Sequence, residues 1–237
     1  MGEWQRRPVE EIVAEQVAYY EARASEYDEA YERRGRHDHG AAANAIWLRE
    51  LGEVRAVLDG LPLEGAQVLE LAAGTGVWTE VLAAGGATIT AVDASSEMLK
   101  RNQARLGSLA AKVRYEQADV FAWRPDQSYD AVVFCFWITH VPVERLDSFL
   151  RSVASTVHPD GWVFFVDDRE RSLSFDVSTR IEGTSRVTVR RLNDGREYRV
   201  VKNFWEPGEL QDRCRLAGLA TTVSQTTYFQ YGVGRRR

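Results

Sequence analysis

The feature that most constrains the fold is an alternation of short apolar runs and helical segments that begins at Gln67. Short apolar runs of this kind are typical of buried strands, and the segments between them have the periodicity of amphipathic helices. The predicted strands are 67–71, 88–92, 112–117, 129–136 and 161–166, and the predicted helices are 77–84, 95–106 and 143–157. Parallel strands joined by helices form a sheet that is covered on both faces. The sequence therefore predicts a doubly wound, Rossmann-like α/β fold.

Residues 1–60 precede this alternation and carry apolar side chains at helical spacing, including Ile12, Val13, Val17 and Tyr20. Such spacing indicates amphipathic helices. We interpret 1–60 as an N-terminal helical lid or cap, and 61–237 as the core.

A second irregularity interrupts the core at about 183–203. Alternating apolar residues flank Asn193-Asp194-Gly195, which is a strong signal for a tight hairpin turn. We predict an antiparallel hairpin insertion that lies over the functional edge of the sheet. A helix at 206–216 and a pair of strands within 220–233 are predicted to close the domain.

Composition limits the partners of the chain. Thirty Lys and Arg against 35 Asp and Glu give a formal net charge of -5, so there is no general attraction to nucleic acid or to anionic membranes. Cys135 and Cys214 form no CxxC pair, and His37 and His39 flank Asp38 without a further identifiable ligand, so no metal is expected. No secretory signal or membrane span is recognisable. We expect a cytoplasmic protein, monomeric or homodimeric, that acts on a small molecule.

The turn after the first strand carries the most chemical information. The segment reads Val68-Leu69-Glu70-Leu71-Ala72-Ala73-Gly74-Thr75-Gly76-Val77-Trp78-Thr79. Doubly wound folds bind nucleotide-like ligands at this point, and Gly74 and Gly76 permit a sharp turn and a close approach. The dinucleotide fingerprint needs a third glycine where Thr79 stands, and Glu70 is unfavourable beside a pyrophosphate. S-adenosylmethionine (SAM) has no phosphate, so the turn favours SAM over NAD.

Two more acids follow the next two strands. A carboxylate at Asp93 can accept hydrogen bonds from both hydroxyls of a ribose, a role that NAD would use equally. Asp119 follows the third strand, where it could accept from the exocyclic amine of adenine. Acids at three successive strand ends, counted with Glu70, favour SAM, although each could instead cap the helix that follows.

These segments resemble the consecutive motifs of class I SAM-dependent methyltransferases. The resemblance is carried by Glu70–Gly76, Asp93, Ala118-Asp119, Tyr129-Asp130-Ala131-Val132 and His158-Pro159-Asp160-Gly161, and it covers about 67–166. The stretch 19–28 is similar to the N-terminal helices of small-molecule methyltransferases related to those of quinone biosynthesis. The family implies a seven-stranded, mostly parallel sheet ending in an antiparallel strand, a helical segment that covers the cofactor, and S-adenosylhomocysteine (SAH) as the product. Ala72 departs from the glycine that many members have.

The motifs, together with the positions expected around the pocket, give a set of candidate binding residues. Those expected at the cofactor are Tyr20, Glu70, Ala72, Gly74, Thr75, Gly76, Asp93, Ala94, Met98, Asp119, Val120 and Phe136. Those expected at the substrate are Tyr19, Tyr27, Trp137, His140, Arg169, Trp205 and Tyr228, and the alternative for the aromatic residues is packing in the core. Arg169 and Arg171 could meet an acidic substrate, although exposed arginines at such positions are more often solvated.

His140 is the candidate general base, because the ordinary pKa of histidine lies near neutrality. The alternative is that it caps the next helix or only contacts substrate. Residues 136–142 lack the Asp/Asn-Pro-Pro-Tyr/Phe pattern of enzymes that methylate amino groups of DNA bases. The function predicted is methyl transfer from SAM to an oxygen, nitrogen or carbon atom of a small molecule. The alternatives are an NAD-dependent oxidoreductase and a SAM-binding module without catalysis.

Overall fold

The order of helices and strands follows the predicted alternation. The computed structural model describes residues 9–170, 176–182 and 184–237, and the side chains of 176–180 are outside that description. The helices are α1 (Val9–Arg23), α2 (Glu29–Glu32), α3 (Ala41–Asp59), α4 (Val77–Ala84), α5 (Ser96–Leu106), α6 (Val143–Thr156) and α7 (Pro207–Leu216). The strands are β1 (Gln67–Leu71), β2 (Thr88–Asp93), β3 (Val113–Gln117), β4 (Tyr129–Cys135), β5 (Val157–Asp168), β6 (Asp176–Glu182), β7 (Ser185–Arg191), β8 (Glu197–Val201), β9 (Leu219–Gln225) and β10 (Phe229–Arg236). Short 3₁₀ turns occupy Gly35–His37, Gly107–Lys112 and Ile138–His140.

Seven of the described strands form the main sheet, in the order β3-β2-β1-β4-β5-β10-β9. The first five pair in parallel, whereas β10 runs antiparallel to both β5 and β9. The doubly wound, mostly parallel sheet of seven strands is therefore confirmed, and the last strand of the chain is the antiparallel one. It lies inside the sheet rather than at its edge.

The sheet is buried on both faces because its central strands are apolar at nearly every position. Val68 and Phe164 point to one face, where they pack with α3 and α4. Leu69 and Phe165 point to the other face, where they pack with α6 and α7. Side chains alternate between faces along a strand, so each strand contributes to two cores.

The fifth strand is longer than predicted. The residues 158–161, expected as a turn before the strand, lie within β5, and the pairing of β4 with β5 shifts register between Tyr129 and Ala131. Asp160 has a left-handed backbone with φ 62°. The extra residues are accommodated by an irregularity in the pairing of β4 with β5. The sequence does not reveal them, because the apolar run of this strand begins only near Trp162.

The insertion is a separate antiparallel sheet in the order β6-β7-β8. The predicted hairpin is present as β7 and β8, and its turn places Gly195 at φ 91°. The strand β6 was not predicted. Helix α1 packs on this sheet through Ile12 against Val187 and Val201, so the N-terminal helix is held between the insertion and the core. Within the described residues, no helix combines the length and apolarity needed to cross a bilayer.

Candidate active site

Two cavities lie at the edge of the main sheet where β1, β2 and β4 end. The first cavity encloses about 640 Å³, and it is lined by most of the residues predicted to hold the cofactor: Tyr20, Ala72, Gly74, Asp93, Ala94, Met98, Asp119, Val120 and Phe136. This space is partly open to solvent. Glu70 and Thr75 line a small recess beside the same turn. Gly76 is in the turn itself, next to that recess.

The turn between β1 and α4 contains three left-handed residues, Ala72, Gly74 and Gly76, with φ of 55°, 56° and 88°. A Cβ atom at Gly76 would lie 2.8 Å from side-chain atoms of Asn102 on α5, so only glycine fits there. A Cβ atom at Gly74 would meet only the carbonyl oxygen of Ala72, at 4.0 Å. Because Gly74 lines the first cavity, a side chain there would occupy ligand space instead of clashing with protein. Ala72 keeps the turn without glycine, at the cost of a strained backbone.

Glu70, on β1, supports this turn through a hydrogen-bond network with α4 and α5. Its carboxyl accepts a hydrogen bond from Thr79 Oγ1 at 2.6 Å, and Asn102 Nδ2 donates to the same hydroxyl at 2.7 Å. Burial raises the pKa of Glu70 to about 8, against the lowering effect of the Thr79 hydrogen bond. Glu70 therefore carries a proton at neutral pH, and it holds α4 and α5 against the glycine turn.

Asp93 presents a fixed carboxylate to the first cavity from the end of β2. Gly74 N donates to its Oδ2 at 2.9 Å, and Ser95 N donates to its Oδ1 at 2.8 Å. Each oxygen keeps a free lone pair, which suits two neighbouring hydroxyls. Burial raises the pKa of Asp93 to about 6, so it is still ionised at neutral pH.

Asp119 and Trp137 offer further polar groups to the first cavity. Asp119 accepts from Phe121 N at 2.9 Å and remains exposed to the cavity. Trp137 lines the same cavity, and its indole Nε1 is buried without a hydrogen-bond partner in the described part of the chain. A buried donor that lacks a protein partner is suited to a bound ligand.

One face of α1 closes the first cavity. Val13, Gln16, Val17 and Tyr20 all line it, and their spacing of three and four residues places them on a single helical face. Gln16 Nε2 donates to the carbonyl of His140, and Val201 N donates to Gln16 Oε1 at 3.0 Å. Sequence reasoning noticed the apolar spacing but did not assign Val13, Gln16 or Val17 to the cofactor.

Other cavity residues were missed for a plainer reason. Ser95, Phe121 and Cys135 follow or end strands but form no motif of their own. Ser95 also caps α5, because its side chain accepts from Met98 N at 3.1 Å. The one sequence signal for these three residues was the position of Ser95 at the predicted start of a helix.

The second cavity encloses about 680 Å³ and lies beside the first. Tyr20, Tyr27 and Phe136 line both cavities. The other charged or titratable residues of its wall are Arg23, Tyr31, Arg33, His37, His140, Asp168, Arg190 and Lys202. The wall is therefore mainly cationic, in contrast with the acids of the first cavity.

His140 is fixed between α1 and β8. Its Nδ1 lies 2.7 Å from the carbonyl oxygen of Val201, so Nδ1 carries the proton, and its Nε2 accepts from the Tyr20 hydroxyl at 2.8 Å. Burial lowers the pKa of His140 well below its ordinary value, and the charge of Lys202 adds to that effect. The imidazole is neutral at physiological pH, as a general base must be. Its role as the base stays a prediction.

The remaining residues predicted at the substrate are distributed over the molecule. Trp137 lines the first cavity, whereas Tyr27 lines both. Tyr19 is buried between α1 and β8, against Leu192 and Val200.

Arg169 donates from Nη1 to the carbonyl of Thr226, and it shares a separate polar groove with Trp205. Tyr228 packs against the core, with its backbone N–H donating to Glu50. The structure does not bring Tyr19, Arg169, Trp205 or Tyr228 to the second cavity. Arg171 lies outside the described residues.

The two other histidines considered in the sequence are apart from any metal-like group. His37 lines the second cavity, and burial together with the charge of Arg23 lowers its pKa to about 3. In the described ranges, no three His, Cys, Asp or Glu residues are grouped as metal ligands.

The fold and the first cavity together define a class. A seven-stranded sheet of this order, with a glycine turn and carboxylates at successive strand ends around one cavity, is the arrangement of a class I SAM-dependent methyltransferase. Residues 68–161 match the family model of the methyltransferase domain.

Known proteins that are similar to this chain support the same class. The chain is 32% identical over 198 residues to the ubiquinone biosynthesis O-methyltransferase of Paracidovorax citrulli, covering 80% of this chain and 78% of that protein. It is also similar to two solved structures, the DhpI-SAM-HEP complex (35% identity, TM-score 0.77, 97% of this chain and 100% of that one) and the DhpI-SAH complex (33% identity, TM-score 0.76, 97% and 98%). The chain belongs to the SAM-dependent methyltransferase family. It is an enzyme that transfers a methyl group from SAM to a small-molecule acceptor, so the NAD-dependent alternative is wrong.

Proposed function

We propose that the methyl group is transferred to an oxygen atom of a small acceptor held in the second cavity. The observation that carries this proposal is the shared wall: Tyr20, Tyr27 and Phe136 line both cavities, so that ligands in the two cavities meet at these rings. Two comparisons support it. The curated relative is named an O-methyltransferase, and DhpI was solved with SAM together with a second molecule, HEP.

In this proposal the protein mainly positions the two reactants. SAM supplies a methyl group activated by the sulfonium, Asp93 holds the ribose, and the turn at Gly74 approaches the rest of the cofactor. Phe136 projects its ring to the junction from a left-handed backbone of φ 55°, and its N–H donates to the carbonyl of Val166 at 2.6 Å. Strain of this kind is found where a structure fixes functional groups. Correct placement of two reactants can lower a barrier by about 7 to 11 kcal/mol.

Residues 1–60 are proposed to act as a lid over a core formed by 61–237. Support comes from Glu21 of α1, which accepts from Ser95 Oγ and Ser96 Oγ at the start of α5. Asp28 accepts from Thr75 Oγ1 at 2.6 Å in the glycine turn. Hydrogen exchange across 17–31 should slow when SAH is added, because the ligand favours the closed lid. Identical exchange with and without SAH would contradict the lid.

The test of the acceptor site fills the second cavity without touching the first. Ala30 lines the second cavity from α2, so Ala30→Trp should abolish turnover while the affinity for SAH stays within about twofold. Ala14→Trp, on the exposed side of α1, is the matched control and should leave turnover unchanged. Labelled SAM then identifies the atom that receives the methyl group. Full turnover by Ala30→Trp, or label found on nitrogen or carbon, would refute the proposal.

We further propose a cytosolic enzyme that is monomeric or homodimeric. The free, buried thiols of Cys135 and Cys214 are consistent with a reducing compartment. Cell fractionation would test the cytosolic location, and light scattering would test the oligomeric state.

A further inference from the structure

Asp167, near the end of β5, is a buried carboxylate that joins two other segments of the chain. It is 1% exposed and lines the polar groove that also contains Arg169. Its Oδ2 accepts from Thr139 N at 3.0 Å, and its Oδ1 accepts from Thr139 Oγ1 at 2.7 Å. Lys202 Nζ, also buried, lies 3.3 Å from the same Oδ1 and 2.9 Å from Thr139 Oγ1. Asp167, Thr139 and Lys202 form the Asp167 network, in which buried charges and hydrogen bonds hold one another in place.

The Asp167 network flanks the hydrogen bond that orients His140. Thr139 directly precedes His140 in the 3₁₀ turn. Lys202 directly follows Val201, the last residue of β8. The carbonyl oxygen of Val201 lies 2.7 Å from His140 Nδ1. The network therefore fixes the residues next to both the donor and the acceptor of this hydrogen bond.

This hydrogen bond decides which ring nitrogen of His140 carries the proton. A carbonyl oxygen can only accept, so the proton is on Nδ1, and Nε2 of the neutral ring is left to accept from the Tyr20 hydroxyl at 2.8 Å. That hydroxyl has a single hydrogen, which points at His140. Its oxygen can therefore only accept hydrogen bonds where the two cavities meet. The other tautomer would donate from Nε2 to Tyr20 and free the hydroxyl hydrogen for a ligand.

A second brace on the same two residues comes from α1. Gln16 Nε2 donates to the carbonyl of His140, and Val201 N donates to Gln16 Oε1 at 3.0 Å. This brace leaves when α1 moves as the proposed lid, whereas every residue of the Asp167 network belongs to the core. The network thus keeps His140 in one tautomer while the lid is open, and Tyr20 meets an acceptor when the lid closes.

We infer that Asp167 is a positioning residue, which sets the tautomer of His140 and so makes the Tyr20 oxygen a hydrogen-bond acceptor at the junction of the two cavities. The tautomer is a property of the protein alone. Its effect on turnover rests on the proposed function, because that function has the two ligands meet at Tyr20.

Nitrogen NMR of the SAH complex with isotope-labelled histidine measures the tautomer, and His140→Asn identifies the signals of His140 among the four histidines. The matched pair is Thr139→Val, which removes the hydroxyl that bonds Asp167, and Thr139→Ser, which keeps it. Thr222→Val makes the same change at an exposed position of β9 and is the control. The wild type, Thr139→Ser and Thr222→Val should carry the proton on Nδ1. Thr139→Val and Asp167→Asn should populate both tautomers.

Turnover shows whether the tautomer acts through Tyr20. It is measured with labelled SAM and the fastest acceptor from a panel of alcohols, phenols and carboxylic acids. Thr139→Val should lower turnover by about threefold to tenfold, the size of one lost hydrogen bond, and Thr139→Ser should recover most of it. In a Tyr20→Phe background Thr139→Val should cause no further loss, because no hydroxyl is left to orient. A merely structural role of Thr139 would lower turnover equally in both backgrounds.

Four results decide the inference. A proton on Nδ1 alone in both Thr139→Val and Asp167→Asn overturns it, and so does a proton on Nε2 in the wild type. Equal loss from Thr139→Val with and without the Tyr20 hydroxyl overturns the link to turnover. If Asp167→Asn does not fold, the matched pair at Thr139 decides alone. Label on nitrogen or carbon of the acceptor defeats the proposed function and leaves the NMR result in force.

Discussion

The two cavities are adjacent but differ in charge and in origin. The first is formed mainly by residues at the ends of consecutive strands, and its charged groups are the acids Asp93 and Asp119. The second is assembled from distant parts of the chain, including α1, α2, α3, the turn at Gly35–His37, the end of β5, β7 and the residue after β8, and its charged groups are mostly cations. In the proposed function, the acids of the first cavity accept hydrogen bonds from uncharged parts of SAM, the ribose and the adenine, whereas the cations of the second cavity face the acceptor. The difference shows that the two cavities offer different kinds of polar group to the molecules they would bind.

The largest expected effect is a loss of SAM binding at the first cavity. Gly74→Val places a branched side chain in a left-handed backbone and in ligand space, so SAM affinity should fall by more than about 100-fold. Calorimetry with SAM measures the loss. Gly52→Ala, on α3 with open space around it, is the control and should bind SAM normally. Normal SAM binding by Gly74→Val would mean that the turn does not hold the cofactor.

A smaller loss is expected at the neighbouring strand end. Asp93→Ala should weaken SAM binding by about 1 to 3 kcal/mol through lost hydrogen bonds to the ribose. Because burial raises the pKa of Asp93 to about 6, wild-type affinity should also fall as the pH drops below about 6, when the carboxylate gains a proton. The alanine variant should lack that fall. If the pH dependence is the same in both proteins, another group causes it.

Glu70 provides a stability test of the same turn. Its pKa in the folded protein, about 8, exceeds the ordinary 4.5, so the folded state binds more protons than the unfolded state between these values. The free energy of unfolding should therefore fall as the pH rises from about 4.5 to 8, by as much as about 5 kcal/mol. Glu70→Gln keeps an acceptor for Thr79 and should remove this slope. Chemical denaturation at several pH values measures the free energy of unfolding of both proteins. If Glu70→Gln shows the same pH dependence as the wild type, Glu70 is ionised in the folded protein.

The smallest expected effect concerns the second cavity. If His140 is a general base, His140→Ala should lower turnover by about 100-fold to 10,000-fold with SAM affinity nearly intact. If His140 instead only positions Tyr20, the loss should be only a few fold, because the Tyr20 hydroxyl merely loses its hydrogen-bond partner. His140→Asn and Tyr20→Phe should then show similar small losses and the same pH profile as the wild type. A loss above about 100-fold in His140→Ala, with SAM affinity intact, would identify His140 as the base.

The first cavity could largely be predicted from the sequence, because its signals are local. The strand at 67–71, the turn with Gly74 and Gly76, and the acid at Asp93 are each read within a few residues. Parallel strands bring their carboxyl ends together, so local motifs at successive strand ends become one site. The doubly wound arrangement follows from the alternation of strands and helices, whereas the number of seven strands was implied by the family resemblance.

The second cavity could not be predicted in this way. Arg23 and Lys202 are separated by most of the chain, and nothing in their surroundings distinguishes them from the other basic residues among 30 Lys and Arg. Only packing of α1 on β8 brings them together. Aromatic residues were misleading for the same reason, since Tyr19 and Tyr228 look like Tyr27 in sequence but pack into the core. The strand β6 escaped notice because 176–182 has little apolar alternation.

Residues of helix α1 line both cavities, so movement of this helix should affect the order in which ligands bind and leave. Glu15 of α1 accepts from Arg199 N of β8 at 2.7 Å, and Glu21 accepts from residues at the start of α5, so the helix is attached on two sides. If α1 acts as the proposed lid, exchange of SAM and SAH requires α1 to move away, and this movement also removes Tyr20 from the second cavity. Steady-state turnover should therefore follow a compulsory order, in which SAM enters first and SAH leaves last. Product inhibition by SAH should be competitive toward SAM and noncompetitive toward the acceptor.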